Sequence, residues 1–245
     1  MEFRVCHAPA FSTLEFSLSA GDFVVAQPNS MLSMTAKVGI SAHAGRQESA
    51  NQTSNGQRKN RHSILGGFKS WLGGESFFTA EFSAKADMQS LVLAPESYGD
   101  IVALDVSASS GYYLTHGSYL ANIGPTDVHV KYGGVKGLMS RKGLFLMHAT
   151  GRGESGDGFV FCQTFGAIEH RRLEANEVLF VDNRFVVAFA DTVTYQLVKA
   201  TDSIKDSLLS GEGLINRYTG PGDVYYQTRG KPSGGFLSTV LQAAF

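Results

Sequence analysis

GLFLMHATGRGESGDGFVFCQTFGAIEHRRLEANEVLFVDNRFVVAFA, residues Gly143 to Ala190, decides the fold class. It holds four apolar runs: Leu144–Met147, Phe159–Cys162, Val178–Val181 and Phe185–Ala190. Each is too short for a helix, and aromatic and β-branched residues dominate them, so they read as strands. In the last run Phe185, Val187 and Phe189 fall on one face of a pleated strand and Val186, Ala188 and Ala190 on the other. Both faces are apolar, as for a strand covered by a second layer. Asp182-Asn183 supplies residues tolerant of a tight turn between the third and fourth runs. The segment therefore predicts two hairpins.

Partial copies lie on either side. Thr150-Gly151-Arg152-Gly153 returns as Thr219-Gly220-Pro221-Gly222, each time before an aromatic-rich strand. A degenerate version begins at Gly74-Glu75-Ser76-Phe77-Phe78. Gly21-Asp22-Phe23-Val24-Val25, Gly99-Asp100-Ile101-Val102-Ala103 and Asn176-Glu177-Val178-Leu179-Phe180 match one another. With copies about 70 to 80 residues apart, each is a small sheet unit rather than one solenoid coil. The expectation is an all-β chain of three related β-sandwich repeats in pseudo-threefold arrangement. The repeats cover residues 1–43 with 212–229, 64–122 and 136–200, so the two chain ends jointly close one of them.

At 245 residues the chain can bury a core without disulfide staples. Twenty-eight glycines against six prolines suit a turn-rich β protein. The formal charge of −1 gives no overall pull toward nucleic acid or an anionic membrane. Cys6 and Cys162 form no CxxC pair, which argues against a zinc ribbon or a disulfide framework. Inside its apolar run Cys162 acts as a small hydrophobe. No stretch approaches a membrane span in length, and the opening residues MEFRVCHAPAF carry no secretion pattern, so the expected location is cytoplasmic.

Further along, Leu14-Glu15-Phe16-Ser17-Leu18 alternates as a half-buried strand, Phe23–Ala26 follows it, and Met31–Met34 resumes after Pro28-Asn29. Residues 43–63 carry no aliphatic residue larger than Ala until Ile64 and are expected to be a mobile polar loop. Its basic cluster, Arg58, Lys59, Arg61 and His62, lacks interleaved aromatics and reads as a solvated loop before a phosphate contact. Ile101–Val106 and Tyr112–Tyr119 are expected to make a hairpin around Ser107–Gly111. Val130–Gly143 reads as a glycine-punctuated connector with Lys131, Lys136, Arg141 and Lys142. Two short helices are expected, one from Thr201 through Leu209 and a C-terminal tail over residues 236–245, where Leu237, Leu241 and Phe245 share a face.

Gly151, Gly153 and Gly156 satisfy GxGxxG, but a dinucleotide site needs a helix next, and Phe159-Val160-Phe161 is a strand pattern. The glycines are read as a hairpin turn. There is no GxxxxGK[ST] loop and no GxSxG elbow. The seven histidines, His7, His43, His62, His116, His129, His148 and His170, form no HxH or HExxH pair. Glu169, Glu174 and Glu177 read as a polar turn. No catalytic, cofactor-binding or metal residue is assigned, and no cofactor is expected.

Thr219-Gly220-Pro221-Gly222-Asp223-Val224-Tyr225-Tyr226-Gln227-Thr228-Arg229, preceded by Gly211-Glu212-Gly213-Leu214, resembles the closing motif of the altered-inheritance-of-mitochondria family. Gly21-Asp22 through Pro28-Asn29-Ser30-Met31, Gly74–Phe78 and Gly117-Ser118-Tyr119-Leu120-Ala121 resemble it as well, so the likeness spans nearly the whole chain. The resemblance implies a fold like that of the tryptophan-RNA-binding attenuator protein. It also implies a link, in mitochondrial members, to inner-membrane organisation, and it carries over no catalytic residues. Three functions remain open: a non-catalytic scaffold or interaction protein, homo-oligomeric and first in weight; a module for a small ligand or nucleic acid; and an enzyme whose site assembles only in space.

Overall fold

A computed structural model describes residues 1–44, 78–115, 117–132, 145–199 and 214–230. The first strands are β1 (Glu2–Cys6), β2 (Thr13–Leu18), β3 (Phe23–Ala26), β4 (Met31–Met34), β5 (Val38–Ala44) and β6 (Phe78–Ala84). They are followed by β7 (Gln89–Leu93), β8 (Ile101–Val106), β9 (Tyr112–Thr115), β10 (Tyr119–Ile123), β11 (Thr126–Tyr132) and β12 (Phe145–Gly151). The last are β13 (Gly158–Gln163), β14 (Ile168–Leu173), β15 (Val178–Asp182), β16 (Val186–Ala190), β17 (Thr194–Lys199), β18 (Leu214–Thr219) and β19 (Gly222–Gln227). The described residues contain no helix, and every pairing between named strands is antiparallel. The two expected helices, the polar loop beyond residue 44, and Lys136, Arg141 and Lys142 lie outside the described residues.

Four sheets result. The first has the order β1-β2-β7-β4, the second β5-β6-β3-β10-β13-β8, the third β11-β12-β9-β16-β19-β14 and the fourth β15-β18-β17. They are joined face to face through three hydrophobic layers. Leu14, Phe16 and Leu91 of the first sheet meet Val24, Phe82 and Phe161 of the second. Leu104, Val160 and Cys162 of the second meet Leu114, Met147 and Ala149 of the third. Phe189 and Val224 of the third meet Tyr218, Leu179 and Tyr195 of the fourth. The second and third sheets are therefore covered on both faces, which accounts for the doubly apolar runs. β10 and β16 are buried along their whole length.

Over their described residues all four apolar runs of the opening stretch fall in strands, with Phe185 in the turn before β16, but they do not form hairpins. β12 belongs to the third sheet and β13 to the second; β15 belongs to the fourth and β16 to the third. The same holds for β8 and β9, where only an isolated Ser107–Ser110 bridge remains of the expected hairpin. A strand covered on both faces can pair with any antiparallel neighbour, so apolar pattern does not specify the partner. The facial assignment in β16 also changes. Its pairing with β19 carries a bulge between Val186 and Ala188, and one extra residue reverses the alternation beyond it. Val187 consequently enters the middle core while Phe189 enters the core toward the fourth sheet. Among the described residues no pairing joins the two chain ends: β18 and β19 pair with β14 to β17, and β1 pairs with β2.

Candidate binding groove

Where β2 and β8 begin and β13 and β19 end, the connecting segments are tied to one another by backbone hydrogen bonds. The Ser12 N–H donates to the Gly99 carbonyl at 3.1 Å, the Asp100 N–H to Gly166 at 3.1 Å, and the Thr228 N–H to Ala167 at 3.0 Å. Gly99 is required by this closeness. A Cβ there would lie 2.0 Å from the Thr164 carbonyl oxygen. Asp100 is buried and anchors the first of these ties, accepting the Ser12 hydroxyl at 2.9 Å and the Ile101 N–H at 2.8 Å.

Two glutamines brace the same place. Gln163 Oε1 accepts the Glu96 N–H at 3.2 Å while its Nε2 donates to the Gly117 carbonyl at 3.0 Å. Gln227 Oε1 accepts the Phe165 N–H at 2.8 Å, and its Nε2 donates to the Arg184 carbonyl at 3.1 Å. Both amides are buried, so each polar atom needs the partner it has. The signal was present in the sequence as Gln163-Thr164-Phe165-Gly166 and Gln227-Thr228-Arg229-Gly230, but nothing in spacing alone marks those residues as neighbours.

Above this bracing lies an open apolar groove of about 290 Å³, lined by Pro9, Phe11, Tyr98, Phe165, Ala167 and Arg229 among others. Phe11 and Tyr98 stand out from the surface at 69% and 74% exposure, in edge-to-face contact at 5.9 Å. Two exposed aromatic rings over an apolar floor, with one guanidinium as the charged lining residue, can hold a nonpolar side chain. The lining holds no carboxylate, imidazole or thiol; its ionisable groups are the Tyr98 phenol and the Arg229 guanidinium.

The residues weighed from sequence fall elsewhere. Gly151 ends β12, and Gly153 and Gly156 lie in the connection to β13, with a strand after them as expected; because those strands are in different sheets, the turn crosses a sandwich and is not a hairpin. Its amides are already used by the chain's own carboxylates. The Gly156 N–H donates to Asp105 at 2.9 Å, the Glu154 N–H to Asp157 at 3.1 Å, and the Ser155 hydroxyl donates to Asp105. His148 stacks on Tyr113 at 4.5 Å with Nε2 3.5 Å from an Asp191 oxygen. His170 stacks on Tyr225 at 4.5 Å with Nε2 2.8 Å from Asp223. His7 and His129 are exposed, and His62 and His116 lie outside the described residues. No group of three or more His, Cys, Asp and Glu among the described residues is placed to hold a metal ion. Glu177 accepts the Glu174 N–H at 2.9 Å and pairs with Arg171 at 2.8 Å; these two hydrogen bonds hold its carboxyl below the ordinary glutamate range. Arg58, Lys59 and Arg61 lie outside the described residues. Cys162 is wholly buried, and burial pushes its thiol far above the usual range.

The sequence profile described as mitochondrial biogenesis AIM24 matches residues 3–229. The chain belongs to the AIM24 family. An uncharacterised protein of Streptococcus pyogenes serotype M6 is 28% identical over 231 residues, covering 93% of this chain and 86% of that protein. An X-ray structure of a Streptococcus pyogenes protein superposes with a TM-score of 0.71 at 26% identity, covering 100% of this chain and 99% of that one. Among the described residues of this AIM24 protein no helix is long and apolar enough to cross a membrane.

Proposed function

We propose that the protein is a non-catalytic scaffold of three six-stranded units, which receives an apolar side chain of a partner protein in the groove where the unit ends meet. The observation that carries the function is the pair of exposed rings, Phe11 and Tyr98, over that groove. At about 290 Å³ the space is at the lower end of small-molecule sites, about 300–1,000 Å³, and its apolar lining suits an inserted side chain. The cytoplasmic placement is supported by Cys6 and Cys162 being unpaired.

The unit reading is supported by strand order. Adding six to each strand number of β2-β7-β4 gives β8-β13-β10, and adding six again gives β14-β19-β16; β3-β6-β5 likewise becomes β9-β12-β11 and then β15-β18-β17. The units are then contiguous, residues 13–93, 101–163 and 168–227, with none shared between the chain ends. Three bulges support the same grouping, between Met31 and Ser33, between Tyr119 and Ala121, and between Val186 and Ala188. The turns before β3 and β15 are also alike: Asp22 accepts the Ser19 N–H at 2.8 Å as Glu177 accepts that of Glu174 at 2.9 Å. By this grouping Thr150-Gly151 and Thr219-Gly220 are true equivalents. Gly99-Asp100-Ile101 is not, because it opens β8, whose place in its sheet differs from that of β3 and β15. Three such units are what the attenuator-like resemblance implies.

The functional reading is tested by placing a photo-cross-linking amino acid at position 98 in living cells, with the exposed Met88 as control site. A discrete protein adduct at 98, absent at 88 and lost when Phe11→Ala is added, is expected. Identical patterns from both positions would overturn it.

A further inference from the structure

One side of the groove is charged. Its lining passes from Phe11, Tyr98 and Phe165 to Arg229. The two Gln-Thr-x-Gly segments carry Phe165 and Arg229 at the same place, so the chain sets a cation where its counterpart has an aromatic ring. Arg229 is exposed, yet its stem is fixed. A Cβ on Gly166 would meet Arg229 Cγ at 3.1 Å, so the stem lies against the backbone of the groove. The residue before it is tied there as well: the Thr228 N–H donates to the Ala167 carbonyl and Thr228 Oγ1 accepts the Ala167 N–H, both at 3.0 Å. Nη1 donates to the Thr228 carbonyl at 2.8 Å.

That carbonyl leaves the charge of the guanidinium unmatched. Arg4, Arg152, Arg171 and Arg184 each pair with a carboxylate, whereas Arg229 makes no ion pair among the described residues. A fixed guanidinium with unused donors, set at the rim of an apolar groove, is complementary to a carboxylate. The surroundings say which kind. A chain-terminal carboxylate is captured by free backbone N–H groups that converge in a nest. Here the N–H groups of Phe165, Gly166 and Ala167 already donate, to Gln227 Oε1, the Tyr98 carbonyl and Thr228 Oγ1. The guanidinium therefore meets the anion without help from these amides, which suits an Asp or Glu side chain. Residues 231–245 of this chain, KPSGGFLSTVLQAAF, contain no acidic residue and cannot supply it.

We infer that the segment received by this groove is acidic as well as apolar: an Asp or Glu stands beside the inserted apolar residue, and its carboxylate pairs with Arg229. The inference rests on the groove reading proposed above, which leaves the charge of the partner open. Because rings and guanidinium line one space of about 290 Å³, the two partner side chains come from adjacent or next-but-one positions. In an extended segment alternate residues fall on the same side. A segment with Lys or Arg in place of the acid is repelled.

The test selects random linear peptides, displayed on phage, against the full-length chain. Sequences enriched on the wild type but not on a Phe11→Ala, Tyr98→Ala chain should join an aliphatic or aromatic residue to Asp or Glu. Such peptides are then made with both ends blocked and titrated by fluorescence anisotropy. Replacing the acid by its amide should weaken binding to the wild type about fivefold or more, and should change little against Arg229→Gln, as a coupled pair requires. Arg229→Glu should reverse the order and prefer the peptide with Lys in place of the acid. Groove-dependent peptides without acidic bias overturn the inference and leave the groove reading standing, and so does an Arg229→Glu chain that binds the acidic peptide as well as the wild type does. If peptides ending in a free apolar residue bind and the blocked acidic ones do not, the site reads a chain terminus and the inference is wrong. Identical enrichment on the Phe11→Ala, Tyr98→Ala chain removes the groove reading and the inference together.

Discussion

On the three-unit reading Leu32 of β4 and Leu120 of β10 are counterparts, Leu32 on a strand paired on one side among the described residues and Leu120 on a strand paired on both. Replacing each by Ala turns that difference into energy. Leu120 has 0% exposure, and removing three carbons from such a site costs about 2.7–5 kcal/mol, because a cavity adds to the lost transfer term. Leu32 is already 59% exposed. With under half its surface buried, and full burial of a Leu worth about 1.5–3 kcal/mol, Leu32→Ala should cost only about 1 kcal/mol in the isolated chain. If a neighbouring copy covers the remainder, the penalty rises with concentration, since assembly stabilises the folded chain by mass action. Urea denaturation of both variants, in the low micromolar range and again about a hundredfold higher, measures this. The Leu120 penalty should be large and concentration-independent. The Leu32 penalty should be small when dilute and grow by about 1 kcal/mol or more when concentrated. A dilute Leu32→Ala chain losing as much stability as Leu120→Ala would refute the reasoning.

Other outcomes follow from single contacts. Gly99→Ala puts a Cβ 2.0 Å from the Thr164 carbonyl oxygen, so the bracing beneath the groove must shift, and the melting temperature should drop by several degrees. Gln163→Ala and Gln227→Ala each remove a buried side-chain amide that makes at least two hydrogen bonds to backbone groups; at about 0.5–1.5 kcal/mol per bond both should cost about 1–3 kcal/mol and match each other closely in denaturant titrations. In the native protein a thiol reagent at neutral pH should modify Cys6 alone, because Cys162 is wholly buried with its thiol pushed upward; after unfolding both should react. The lowered carboxyl of Glu177 lends stability that is present above the ordinary glutamate value of 4.5 and is lost as pH falls below it. Glu177→Gln should therefore lower stability slightly at neutral pH and flatten the acid limb of a stability-against-pH curve, the two chains converging at low pH.

Strand identity was legible in the sequence because strand-forming residues cluster locally. Leu14, Phe16 and Leu18 alternate and all three are buried; Phe159–Cys162 and Val178–Val181 sit inside strands as written. Pairing was not legible. β12 and β13, adjacent in the chain and similar in composition, enter different sheets, and the choice is made by long-range cores that no local window contains. The bulge at Val187 was equally silent, since one displaced residue leaves no compositional mark. Part of the groove could have been found. The doubled Gln-Thr-x-Gly at residues 163–166 and 227–230 announces two equivalent places, but Phe11 and Tyr98 join them only through the backbone ties of Gly99 and Gly166.

The most direct measurement is amide hydrogen exchange followed at two protein concentrations. Amides of residues 119–123 and 186–190, interior strands paired on both sides, should be slow at both. Amides of 31–34 and 178–182, each paired on one side among the described residues, should exchange fast when dilute and slow markedly when concentrated. Protection of 31–34 equal to that of 119–123 at every dilution would contradict the open edges and the serial sharing of sheets from which they follow.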